Sequence, residues 1–151
     1  MFSGCSSLSD IRPLKKWDVS NGNNFQEMFN GCSSLSNIQA LEQWNVSNSL
    51  NFENMFSYCT LLSDVSPLKR WNVSKVKNFQ EMFIFCSSLS NIEPLSQWNV
   101  SSGNSFHGMF SGCSSYLDTK SLGKWQLSND DYFYDISDAC LTEYKYIEYI
   151  D

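Results

Sequence analysis

Histidine is almost absent, with His107 alone in 151 residues, and positive charge is scarce, with 10 Lys and Arg against 16 Asp and Glu. A general base needs an oriented nucleophile or partner beside it. His107 instead shares a column with Gln26, Glu53 and Gln80, a polar surface, so it marks no catalytic site. The basic clusters Lys15-Lys16, Lys69-Arg70 and Lys75 with Lys77 are too short to track a phosphate backbone, which excludes nucleic acid as a partner. Apolar runs approaching the ~18 residues of a membrane span are missing. So is a basic segment followed by an apolar one at the N-terminus, and this chain shows no export signal or membrane insertion. Six cysteines occur without any C-x-x-C pair, which argues against a metal or redox centre. No cofactor, metal ligand or catalytic residue is expected, and the chain does not read as an enzyme.

What is present is repetition. Trp17, Trp44, Trp71, Trp98 and Trp125 stand 27 residues apart, as do Cys5, Cys32, Cys59, Cys86, Cys113 and Cys140. Phe25, Phe52, Phe79, Phe106 and Phe133 keep the same frame, and so do the Met-Phe pairs at 28, 55, 82 and 109. A fixed period of this length means units that bury their apolar sides only by stacking. The division expected is residues 1–128 as the array, its first coil incomplete, and 129–151 as a degenerate last repeat and cap.

Within one unit, Phe25, Met28, Phe29, Cys32 and Leu35 have helical spacing. Asn24 followed by Glu27 resembles a capping box. Trp17 and Val19 alternate with Asp18 as a strand does. The expected fold is therefore an α/β repeat, a leucine-rich-repeat-like solenoid whose coils each hold a short strand and a short helix. Pro13, Pro67 and Pro94 sit just upstream of the strand, where a missing N–H is tolerated. Strands at ~4.8 Å and helices at ~8–10 Å would curve the stack and make the strand face concave. Gln43, Asn45, Arg70, Asn72, Gln97 and Asn99 would point outward there, between inward Trp and Val columns.

Phrases of the form W-[DN]-V-S followed by M-F-x-x-C-S-S-L, as in WNVSNSLNFENMFSYCTLLSDV at 44–65, resemble the repeats of BspA-like leucine-rich-repeat surface proteins, which are related to those of mycoplasma lipoproteins. The resemblance runs from Met1 to about Cys140. It implies a leucine-rich solenoid, often displayed on microbial cell surfaces and linked to adhesion or host-protein binding, with related sets in protists and large viruses.

The cysteines are expected as buried, reduced thiols acting as small hydrophobes, and the tryptophans as core rather than a sugar platform. Asn45-Val-Ser47, Asn72-Val-Ser74 and Asn99-Val-Ser101 match N-glycosylation acceptors. In a strand they read as a by-product of the repeat, their amides hydrogen-bonding along the stack. The half coil at Met1 implies either a fragment of a longer array or an end that associates with a second copy. Two functions remain open: a protein-binding module acting through the concave face, at a cell surface if the family resemblance reaches that far, or an intracellular interaction or structural repeat with the same surface.

Overall fold

The run with helical spacing, Phe25 to Leu35, does not form a helix. Glu27 and Gly31 adopt φ 54° and 73°, and their equivalents do likewise: Asn54 and Tyr58, Glu81 and Phe85, Gly108 and Gly112. A left-handed residue at every fourth position breaks the chain of helical dihedrals before it can propagate. Short turns result, with Met28 N–H donating to the Phe25 carbonyl at 3.2 Å and Cys32 N–H to that of Phe29 at 3.0 Å. The alternate N–H groups leave the repeat altogether. Phe25, Glu27, Phe29 and Gly31 donate to the carbonyls of Asn51, Glu53, Met55 and Ser57 in the next repeat at 2.8–3.0 Å. The same four-rung ladder runs from 52–58 to 78–84 and from 79–85 to 105–111.

The computed structural model of the chain describes residues 1–125, 127 and 136. Its helices there are five short 3-10 segments, Arg12–Lys16, Gln39–Leu41, Ser66–Leu68, Glu93–Leu95 and Thr119–Lys124. Strand pairing among these residues amounts to three isolated parallel bridges, Asn24 to Asn51, Asn51 to Asn78 and Asn78 to Ser105. The expected leucine-rich-repeat-like α/β solenoid of strand-plus-helix coils is therefore wrong. Spacing explains why the helix is missing. Phe25, Glu27, Phe29 and Gly31 bond backbone to backbone with the next repeat at 2.8–3.0 Å, which helices packed side by side with axes ~8–10 Å apart do not allow.

The expected strand fails for a different reason. Trp17 is extended, at ψ 129°, but its N–H turns back to the Leu14 carbonyl. Three residues on, the N–H of Ser20 is taken by the Asp18 side chain. No backbone bond crosses between repeats at the W-x-V segment among the described residues. Pro13, Pro67 and Pro94 instead open 3-10 turns, where a fixed φ is pre-organised. An Asp or Asn two residues before the first residue of each of the first four turns (10, 37, 64, 91) accepts its N–H, and Asp118 accepts from Lys120, the second residue of the fifth. The anticipated capping box is likewise absent, since Asn24 Oδ1 accepts from Gln26 N–H and Glu27 is left-handed.

Stacking still makes one continuous core of the Phe, Met, Cys, Leu, Ile and Trp columns. Trp44, Trp71, Trp98 and Trp125 are buried, and each indole N–H donates at 3.0 Å to a leucine carbonyl of the preceding repeat: Leu14, Leu41, Leu68 and Leu95. Trp17, in the first repeat, is 40% exposed. Among the described residues the register slips at one place. Tyr116 occupies the column of Leu35, Leu62 and Leu89 but is 87% exposed, and Leu117 takes over the inward position and the turn bond to Ser114. Leu117 stands one residue closer to Leu122 than Leu89 does to Leu95, and Asp118, Leu122 and Trp125 are again in frame. Of the expected cap at 129–151, only Ile136 is described, buried and accepting from Phe110 N–H at 2.9 Å.

Trp71→Phe removes the indole hydrogen bond while the Leu41 carbonyl keeps its bond from Trp44 N–H, and the lost bond is expected to cost about 0.5–1.5 kcal/mol. Trp17→Phe should cost less than half as much. Urea unfolding of the two variants checks this, and equal losses would contradict the assigned role of the indole bond.

Candidate functional site

The six side chains expected at the binding face, Gln43, Asn45, Arg70, Asn72, Gln97 and Asn99, are all exposed, in two rows running across the second, third and fourth repeats. The intervening Trp44, Trp71, Trp98 and Val46, Val73, Val100 are buried, so the in-out alternation exists without a strand. The asparagines do not bond along the stack. Asn72 Oδ1 accepts from the N–H and hydroxyl of its own Ser74 at 3.2 and 2.8 Å, and Asn99 does the same with Ser101 at 3.2 and 2.7 Å. Asn45 accepts from Ser47 N–H at 3.2 Å. Each carboxamide is thereby held by its oxygen, and its NH₂ is left for an outside acceptor. Asp18 heads the same row. Hydrogen bonds from the Ser20 hydroxyl, then from its backbone N–H, lower its carboxyl below the ordinary value.

Amide contacts between repeats occur one segment further along. Asn78 Nδ2 donates to Glu53 Oε2 at 3.0 Å, Asn48 Nδ2 to the Ser20 carbonyl at 2.9 Å, and Lys75 Nζ to Asn48 Oδ1 at 2.9 Å. The N-x-S segments thus lie in exposed turns rather than in a strand. The premise for calling this face concave also fails. Tryptophan rings stack at 6.5 Å on this side against 5.5–5.6 Å for the Phe29 column, so the Trp side is not the tighter one.

A second surface went unnoticed in the sequence. Gly4, Gly31, Tyr58, Phe85 and Gly112 form one column, and all five have positive φ. An L side chain in this conformation costs about 1–2 kcal/mol, yet two central repeats place aromatic rings there. Tyr58 and Phe85 are 49% and 42% exposed and stack at 4.9 Å with 29° between planes. Glycine at three of five equivalent positions was the available signal.

The cysteines carry no comparable chemistry. Cys32, Cys59, Cys86 and Cys113 are free and buried, and each Sγ donates at 3.1–3.3 Å to a phenylalanine carbonyl 30 residues earlier: Phe2, Phe29, Phe56 and Phe83. Burial pushes the Cys59 thiol up to about 12 and the Cys86 thiol well above its ordinary value. Cys5 is exposed. Beside the half-exposed Trp17, a depression of about 290 Å³ is lined by Met1, Val19, Phe25 and Met28.

The family model described as Mycoplasma protein of unknown function, DUF285, matches residues 1–89 and 37–142. The chain belongs to this family. No curated protein matches it, and no solved structure does.

Because the folded state holds Cys59 protonated above its ordinary value of 9.0, an unfolded chain loses that proton first as pH rises. This thiol's contribution to stability is constant below pH 9.0 and falls between there and about 12. Cys59→Ala should be less stable at neutral pH, through its cavity, but flatter against pH in that window. Native alkylation read by mass spectrometry should modify Cys5 and spare the four buried thiols, and rapid labelling of Cys59 or Cys86 would refute the inert-thiol assignment.

Proposed function

We propose that this chain is a non-catalytic repeat module that holds another protein on the rows of Gln43, Asn45, Arg70, Asn72, Gln97 and Asn99. The observation that carries the reading is the fixing of three exposed carboxamides by their own turns, so that their NH₂ groups meet a ligand with little further ordering cost. Arg70 sits among them, exposed, and arginine is enriched among the residues that dominate interface energies. The resemblance of the repeats to those of BspA-like surface proteins supports a role in adhesion at a cell surface.

A partner captured on the immobilised chain and crosslinked in place tests the reading. Replacing Arg70 and Asn72 together by Ala should weaken that partner's binding at least tenfold, about 1.4 kcal/mol or more. Folding should be unaffected, since both side chains are exposed. Crosslinks that avoid these rows, or a double variant that binds as well as the parent, would refute it.

A further inference from the structure

The two rows assigned to a partner carry hydrogen-bond donors and are nearly free of acid. Asn45, Asn72 and Asn99 have their carboxamide oxygens taken by their own turns, and none of their NH₂ groups donates to a described residue. The neighbouring row reads Lys16, Gln43, Arg70, Gln97 and Lys124, all exposed, with a cation in every second repeat. None of these cations forms an ion pair among the described residues. Asp and Glu outnumber Lys and Arg by 16 to 10 over the chain, yet neither occurs at 43–47, 70–74 or 97–101. Glu42, beside the patch in sequence, accepts from Gln39 Nε2 at 2.6 Å. Asp18 is the carboxylate that enters the rows, at the position that asparagine holds in the next three repeats.

The tryptophans that separate the two rows measure the step between repeats on this side. Trp17 lies parallel to Trp44, and Trp98 to Trp125, with centroids 6.5 Å apart and planes 5° apart. Equivalent rings so nearly parallel are related by a translation, so the side chains flanking them advance by nearly the same step. In an extended peptide the side chains on one face recur every two residues, about 6.6 Å. We infer that the partner segment held here is acidic and extended, running along the stack with carboxylates at alternate residues over Asn45, Asn72 and Asn99. The inference rests on the protein-binding reading of these rows. Each carboxylate meets an NH₂ group already held in place, and Arg70 supplies a two-pronged guanidinium donor in the middle repeat. Asp18 repels a further carboxylate and so ends the site at the second repeat.

The test titrates the intact chain with Ac-Asp-Thr-Asp-Thr-Asp-NH₂, its isomer Ac-Asp-Asp-Asp-Thr-Thr-NH₂ and the uncharged Asn-Thr counterpart. The alternating acid should bind at least about tenfold more tightly than the uncharged peptide. It should bind several-fold more tightly than its isomer, and weaken as salt is raised. Arg70→Gln should remove most of that affinity. Asp18→Asn, which gives the first repeat the asparagine of the others, should raise affinity for the alternating peptide lengthened by one Asp-Thr unit. Both side chains are exposed, so melting temperatures should not move. Equal affinity for the alternating acid and its isomer, indifference to Arg70→Gln, or binding of a heparin oligosaccharide by a chain that ignores the peptide would overturn the inference. These titrations use no captured partner. Their failure alongside crosslinks on the rows rejects the acidic segment only, whereas crosslinks elsewhere reject the reading of the rows itself.

Discussion

Backbone hydrogen bonds between repeats, donated by every second residue of the segment that begins at Phe25, set the terms for the rest of the molecule. Their geometry fixes the stacking distance near that of a β ladder, although little of the chain is in β pairing. At that distance a phenylalanine meets its copy face to face, as Phe56 meets Phe83 at 5.5 Å and 6°. Left-handed residues make this possible by turning alternate N–H groups out of their own repeat. The strain at Glu27, Asn54 and Glu81 is thus tied to the ladder that holds the stack together.

Two further links tie each repeat to the one before it, both spanning 30 residues. Tryptophan indoles reach leucine carbonyls on one side, and cysteine thiols reach phenylalanine carbonyls on the other. These explain why Trp and Cys persist in columns that hydrophobicity alone could fill with Leu or Ala. A tryptophan supplies both area and a donor, and a thiol is a small apolar group with a weak donor of its own. Both give a second hydrogen bond to carbonyls that already accept a turn N–H, as Leu41 does from Trp44 and Phe56 from Cys59.

Much of this was legible in the sequence. The period, the buried columns and the outward placement of Gln43, Asn45, Arg70, Asn72, Gln97 and Asn99 follow from spacing and alternation. The local conformation was not legible by the same route. Spacings of three and four suit a helix, and they also suit turns closed by a left-handed residue every four. Only the recurrence of glycine at 4, 31 and 112 distinguishes the two, and Tyr58 with Phe85 obscures it. The W-x-V alternation was similarly ambiguous, because an extended segment without a backbone partner has the same in-out pattern as a strand. The slip at Tyr116 was hidden by the regular spacing of Trp98 and Trp125 on either side of it.

The rungs all point along the stack axis, and this gives the array a mechanical character. A load applied along that axis is borne by one interface at a time, so bonds break in series. The expected response is a staircase, each step freeing one repeat of 27 residues, roughly 90 Å of extended chain. A load applied across the axis is shared by all the interfaces at once. The same molecule should therefore be compliant when tugged end to end and stiff when sheared, and a single all-or-none rupture in an end-to-end force trace would speak against that anisotropy.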